Sequence, residues 1–299
     1  LAFGLAIGCM AALARELLDR HIRTIAQMEA AAQVPCLGIL PRIKANASRV
    51  RADGADPTNR VFTLFQAAGP SNTVVHQPFS LFAETIRNMK VSVDTRRLAR
   101  DIRSVGIVSA QAGEGKTTAA MNLAMVMAQA GSRVLVIDAD LRNPQLTRTF
   151  VPAAKAGLPE VLAGSVGLKD ALWREAATGI HVLPTVARGK VRNSSEIVAS
   201  DAMRRLLDDV SHGYDYVVLD CAPLVPVVDV RASAHLIDGF IMVTAWGETP
   251  VDVVERVASA SYLEDKLLGT VLTKVDISRY KLFETYHDSY YIETDMPAK

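Results

Sequence analysis

The sequence predicts an α/β protein: a mostly parallel sheet with helices on both of its faces. Three observations predict it. Short apolar, β-branched runs near 104–109, 133–138, 180–184, 215–220, 239–244 and 268–273 are mostly separated by helical stretches. That alternation builds parallel sheets buried on both faces. Between the first run and a helix expected over 116–130 lies a Gly-rich turn, Ala110-Gln111-Ala112-Gly113-Glu114-Gly115. Two later runs deliver aspartates at their carboxyl ends, Asp138 and Asp140 on one and Asp220 on the other. Open parallel sheets bind ligands beyond those ends.

Length and charge suit this reading. The chain has 299 residues, 49% of them hydrophobic, and a formal net charge of +1, enough for one sizeable domain with extensions. No basic stripe dominates, which argues against a nucleic-acid partner. Cys9, Cys36 and Cys221 have neither metal-ligand nor Cys-x-x-Cys spacing, which fits a reducing cytosol. Cys221, beside Asp220, reads as a small buried filler.

Residues 1–14 carry no charge, and Arg15, Arg20 and Arg23 follow them. A bilayer span needs about 20 apolar residues, and a signal peptide has its basic flank before the apolar run. The segment reads as the cytoplasmic half of a truncated transmembrane helix, with the arginines on the inner face; a buried helix of the soluble domain is the alternative. Residues 15–32 continue as a charged, Ala-rich helix, and 34–43 form a short extended piece. From 44 to 77 the composition turns to Ser, Asn, Asp, Gly and Pro, which reads as linker. The juxtamembrane segment thus covers 15–77 and the α/β domain 78–276.

Within helix 80–98, Phe82, Ile86, Met89 and Val93 form an apolar stripe. Glu84, Arg87 and Lys90 recur every third residue on the other side, a pattern common on solvated helix faces. The Gly-rich turn reads as a phosphate cradle. Gly113 and Gly115 let successive N–H groups aim at one anion, and the following helix points its positive dipole end at the same place. Lys116 would reach the β- and γ-phosphates and the Thr117 hydroxyl would ligate Mg²⁺. The full pattern asks for glycine where this chain has Ala110. Asp138, Asp140 and Asp220 beside that loop are the hard oxygen donors Mg²⁺ requires. After residue 276 come Tyr280, Tyr286, Tyr290 and Tyr291, four of the seven tyrosines, in a polar segment without apolar period. A tail over 277–299 could extend roughly 75–80 Å, and its tyrosines read as phosphate acceptors.

Three runs carry a family resemblance: Ser109-Ala110-Gln111-Ala112-Gly113-Glu114-Gly115-Lys116-Thr117, then 134–144 with Asp138 and Asp140, then 217–223 with Asp220. They resemble the Walker A, Walker A′ and Walker B motifs of bacterial tyrosine kinases (BY-kinases), the cytoplasmic domains of exopolysaccharide co-polymerases. Family members usually have proline at the position of Ala112, and commonly Thr-Pro-Pro where this chain has Cys221-Ala222-Pro223. Neither change removes a phosphate or metal ligand. Ala245-Trp246-Gly247 resembles the succinoglycan-type branch.

The resemblance implies a P-loop NTPase-like fold, and ATP with Mg²⁺ held by the loop from Ala112 through Gly113, Glu114, Gly115, Lys116 and Thr117 to Thr118. It implies a phosphoryl transfer in which positioning and charge neutralisation supply most of the acceleration. Thr117 and Asp220 would ligate the metal, Asp140 would act through water, and Asp138 would take the phenol proton. It further implies autophosphorylation of the tail between subunits of a homo-oligomer, a ring loosened by the added charge. Glu84-x-x-Arg87-x-x-Lys90 resembles the family's subunit-contact motif Glu-x-x-Arg-x-x-Arg, with lysine replacing the last planar fork. A location on the cytoplasmic face of the inner membrane, contact with polysaccharide polymerisation and export machinery, and a tyrosine phosphatase as partner are implied as well.

Other classes stay open in the sequence. ATPases that position partners on membranes carry an extra lysine early in the loop, where Gln111 and Ala112 offer none. Thr273-Lys274-Val275-Asp276 resembles the guanine-reading motif of GTPases. A nucleotide-sensing scaffold of an export complex, without kinase activity, is the third.

Overall fold

The computed structural model describes residues 20–43, 56, 58–64, 70–100, 102–186, 193–225, 227–281 and 283. All six expected strands form within it. Together with three others they make a nine-stranded sheet: β1 (Cys36–Pro41), β2 (Val61–Phe62), β3 (Ser104–Ser109), β4 (Val134–Asp138), β5 (Trp173–Glu175), β6 (His181–Leu183), β7 (Tyr216–Asp220), β8 (Gly239–Ala245) and β9 (Leu267–Val275). The order is β1-β9-β8-β3-β7-β4-β6-β5-β2. Every neighbouring pair is parallel except β5 with β6.

The alternation of side chains along each strand feeds two cores. On β4, Leu135 and Ile137 enter one core, while Val134 and Val136 enter the other. The helix Leu81–Arg100 covers the second face with Phe82, Ile86, Met89 and Val93, all buried. The helix Lys116–Gln129 lies beside it. The helices Asp201–Gly213 and Val251–Ala258 close the opposite face through Leu206, Val210, Val254 and Val257. Each such aliphatic side chain, fully buried, contributes about 1.5–3 kcal/mol.

Three expectations need correction. Of the described part of the helix expected over 15–32, residues 20–24 are not helical and the helix Ile25–Ala32 starts after them. Thr24 and Gln27 form a reciprocal capping box there, with Thr24 Oγ1 accepting from Gln27 N at 3.1 Å, and such a box fixes the first turn. Residues 20–22 are extended instead and bridge to the segment around Pro250. Described residues within the stretch read as linker are part of the fold: β2 joins the sheet edge, and Phe62, Leu64 and Val74 are buried. Since β1 pairs with β9, the sheet also reaches back before residue 78, the boundary expected for the domain. At the other end, the tail expected from 277 begins with a helix, Ile277–Tyr280, capped by the Asp276 side chain. The apolar segment 1–14 lies outside the described residues, and among those no helix is long and apolar enough to cross a membrane.

Candidate active site

β3 lies in the interior of the sheet, between β7 and β8. The chain leaves its carboxyl end into the Gly-rich loop, where Gly113 (φ +81°) and Gly115 (φ +95°) adopt the left-handed region. A side chain at either would be strained by backbone conformation alone, which is why glycine stands there. Ala110 is not among the positive-φ residues, so a Cβ costs nothing where the motif usually has glycine.

Lys116 opens the helix Lys116–Gln129 and donates from Nζ to Ser109 Oγ at 3.1 Å. Thr117 Oγ1 donates to Asp220 Oδ2 at 2.6 Å. Asp138 and Asp220 occupy matching register positions on the adjacent strands β4 and β7. Asp138 Oδ2 accepts from Thr147 N at 2.8 Å and from Thr147 Oγ1 at 2.6 Å, while its Oδ1 is buried with no hydrogen-bond partner among the described residues. Asp140, just past β4, accepts from Asn143 N at 2.9 Å. The phosphate loop and the three carboxylates expected from the sequence are therefore brought to one end of the sheet.

Burial governs their protonation. Asp138 is held well above the usual carboxylate range by burial and then by the charge of Asp220. Burial pushes Asp220 up to about 6 against the opposing hydrogen bond from Thr117, and it raises Asp140 as well. Carboxylates this desolvated sit where a cation or a transferred proton can repay them. Among the described residues no three His, Cys, Asp or Glu side chains form a metal cluster by themselves. The donor set instead suits Mg²⁺, which takes one or two protein oxygens and completes its shell with water and phosphate.

Other placements modify the sequence reading. The Glu114 carboxylate turns away from the loop's exposed face. It accepts from Gln111 N at 2.7 Å, from Ala245 N at 3.3 Å and from Thr249 Oγ1, so only its main chain can serve a phosphate. Arg87 pairs with Glu84 at 2.7 Å within its own helix, and Lys90 pairs with Asp94 at 2.5 Å rather than with Glu84. Tyr280 is only 3% exposed, packed into the core by the helix that Asp276 caps, and so is not an exposed tail residue. Tyr286, Tyr290 and Tyr291 lie outside the described residues. Asp276 Oδ1 accepts from Ser278 N at 3.1 Å and Arg279 N at 3.3 Å, so one of its oxygens caps the following helix. A cleft of about 340 Å³ beside Gly113, Gly115 and Thr118 is walled by Leu40, Ile43 and Phe82.

Sequence reasoning missed Thr147, Ser109 and Thr249, which hold Asp138, Lys116 and Glu114. Ser109 opens the first motif run but carries no signal of its role there, Thr147 is an ordinary polar residue three positions past the second run, and Thr249 follows another strand's end. The one local signal was Glu114 itself, a carboxylate inside a phosphate loop that must be neutralised or turned aside.

A family model described as an AAA domain matches residues 102–242. The succinoglycan biosynthesis transport protein ExoP of Rhizobium meliloti (strain 1021) is 36% identical over 296 residues, 92% of this chain and 37% of that protein. The chain therefore spans little more than a third of that relative. The tyrosine-protein kinase YwqD of Bacillus subtilis (strain 168) is 32% identical over 212 residues, 70% of this chain and 88% of its own. Among solved structures, the kinase domain of the Escherichia coli tyrosine kinase ETK superposes with a TM-score of 0.69 at 25% identity, covering 85% of this chain and 95% of that one. The chimerical protein CapA2B2 gives a TM-score of 0.68 at 25% identity, covering 84% and 99%.

Proposed function

Because the chain belongs to the bacterial tyrosine kinases, we propose that it transfers the γ-phosphoryl group of Mg-ATP to tail tyrosines of a neighbouring copy, and thereby regulates exopolysaccharide polymerisation, chain length and export. The observation that carries this reading is the register pairing of Asp138 and Asp220 beside the 2.6 Å Thr117–Asp220 hydrogen bond. On this reading Thr117 and Asp220 supply the metal's oxygens and Asp138, on the adjacent strand, the proton acceptor.

The loop amides and Lys116 hold the β- and γ-phosphates, and the apolar-walled cleft takes the nucleoside. Thr117 and Asp220 would hold Mg²⁺, with Asp140 serving it indirectly, and the bound ion would neutralise charge on the phosphate oxygens. The tyrosine oxygen bonds to the γ-phosphorus, the bond to the β-γ bridging oxygen breaks, and ADP leaves. The phenol is protonated at neutral pH, its pKa being about 10. Asp138, with one oxygen unengaged, receives that proton. Such general-base assistance contributes typically about 10²–10⁴-fold.

The same reading places the chain on the cytoplasmic face of the inner membrane, as a homo-oligomer assembled through Glu84, Arg87 and Lys90. It works there with polysaccharide export machinery and a tyrosine phosphatase. Incubation with Mg-ATP followed by phosphotyrosine mass spectrometry tests it. Phosphate on the tail, lost in Lys116→Met, is the expected result. Free phosphate released with an unmodified tail would make the protein an ATPase and overturn the kinase reading.

A further inference from the structure

Two residues past Asp140 the chain presents Arg142, whose side chain is 42% exposed. Its Nε donates to Ser194 Oγ at 2.8 Å, and its Nη2 donates to Asp229 Oδ1 at 3.4 Å. Ser194 Oγ donates in turn to the same Asp229 oxygen at 2.9 Å. Asp229 is 2% exposed, and its Oδ2 is buried with no hydrogen-bond partner among the described residues. Burying a carboxylate with one oxygen unsatisfied costs stability. An apolar residue would serve packing better, so the carboxylate calls for a reason other than the fold's stability.

The geometry around Asp140 supplies one. The loop after β4 folds back on that carboxylate through Asn143 N, and Arg148 Nη1 holds Asn143 Oδ1 at 2.5 Å. One side of the loop is thus tied down within its own segment. Its other side is tied through Arg142 to the helix Asp229–Ser233, which follows β7, the strand that carries Asp220. The Arg142–Asp229 pair is therefore a strut between the two segments that deliver Asp140 and Asp220. A planar guanidinium gripped at two nitrogens fixes direction as well as distance, which an ammonium cannot.

We propose that Asp229 is a positioning residue: gripping Arg142 with Ser194, it sets the placement of Asp140 relative to Asp220 and so the affinity for Mg²⁺. This rests on the reading of Asp140 and Asp220 as the carboxylates that serve the metal. Groups that orient ligating residues without touching the metal typically change its affinity about 10–100-fold when removed.

The test titrates Mg²⁺ into the full chain with a fluorescent ATP analogue, and repeats the nucleotide binding in EDTA, with thermal melting alongside. Asp229→Asn, Arg142→Ala, Arg142→Lys and the Asp229→Asn/Arg142→Ala double variant are compared. Each single variant, lysine included, is expected to raise the half-saturating Mg²⁺ concentration about tenfold. Nucleotide binding in EDTA is expected to stay within about twofold, and the double variant to be no worse than the worse single one, since the pair acts as one unit. Single effects that multiply in the double variant, or an unchanged Mg²⁺ midpoint, would overturn the proposal. Arg142→Ala, at a half-exposed position, keeps the test decisive if Asp229→Asn fails to fold. Asp140→Ala and Asp220→Asn are the control: if neither moves the Mg²⁺ midpoint, the metal-site reading itself is wrong and the strut falls with it.

Discussion

Asp138 and Asp220 occupy matching register positions on adjacent parallel strands, both buried, with Thr117 donating to the second. Two carboxyls so placed hold protons that the unfolded chain has already released. Unfolded aspartates titrate near pH ~3.9, whereas Asp220 in the fold titrates at about 6 and Asp138 also lies well above the usual range. Between those values the folded state binds more protons, so this pair's contribution to stability is largest at low pH and falls as pH rises. Removing one charge reverses that loss. In the nucleotide-free protein, Asp220→Asn is expected to melt roughly 5 °C above wild type at pH 7.5. The two curves should converge as pH falls towards ~4, where the unfolded carboxyl also becomes protonated. A melting difference independent of pH would show that the pair is not strained by its own charge. Mg²⁺ needs the ionised form, so its affinity should weaken as pH falls through about 6.

Glu114 joins the phosphate loop to the turn after β8 through Ala245 N and Thr249 Oγ1. That turn also carries the extended segment before Thr24, since Ile22 N donates to Thr249 O and Gly247 N to Ile22 O. Thr249→Val keeps the shape but leaves a buried carboxylate short of a donor, a cost of about 1–3 kcal/mol. Weaker nucleotide binding, by about tenfold, is expected in an equilibrium titration, because the loop loses the anchor that fixes its amides. Unchanged affinity would mean the loop's shape is set by Gly113 and Gly115 alone.

What the sequence made legible was local. The runs at β3, β4, β7, β8 and β9 are continuous, β-branched and punctuated by Gly or Asp, so their strands could be read directly. The phosphate loop was readable because its chemistry demands fixed spacing. The edge beyond β6 was not. β2 has two residues and β5 three, too few for any period, and their pairing depends on a distant contact. Glu175, fully buried, accepts from Leu64 N at 3.1 Å and Thr178 N at 2.6 Å, tying the segment read as linker to the sheet. Residues 20–24 were misread as helix for the opposite reason. The Ala-rich composition of 15–32 favours helix throughout, but the Thr24–Gln27 cap and pairing with Thr249 win over propensity. Thr147, Asp229 and Thr249 carry no spacing signal, because they act across the chain's fold rather than along it.

On the helix Leu81–Arg100, Glu84, Val91 and Leu98 recur at i, i+7 and i+14 and so share one face. Val91 is 59% exposed and Leu98 92%. These two exposed apolar side chains continue the line that Glu84 begins, on the face away from the buried stripe, which suits a contact between copies. The in-chain Glu84–Arg87 pair is worth only about 0.2–0.5 kcal/mol to the helix, so its loss should leave folding intact. Arg87→Ala and Leu98→Glu are each expected to shift sedimentation towards the monomer with melting temperature changed by no more than about 2 °C. Assembly identical to wild type in both variants would remove this face from the interface.

Tyr280 and the later tyrosines should part company in phosphorylation. Tyr280 is 3% exposed and sits at the end of a short helix whose cap, Asp276, directly follows β9. Three residues on, Phe283 packs edge-on against Trp246 with ring centroids 6.1 Å apart, and Arg23 lies 5.0 Å from the Phe283 centroid. The chain is therefore held against its own domain at least as far as Phe283. A phenol must leave its packing to reach another copy's phosphate loop, and exposing a large buried side chain costs about 1.5–3 kcal/mol or more. Tyr286, Tyr290 and Tyr291 follow this anchored stretch. After incubation with Mg-ATP, site-resolved mass spectrometry is expected to find phosphate on those three and none on Tyr280. Tyr280→Phe should leave total incorporation unchanged, whereas replacing the other three by Phe should abolish it. Phosphate on Tyr280 in protein that still melts cooperatively would mean that the helix after β9 opens far more readily than its packing allows.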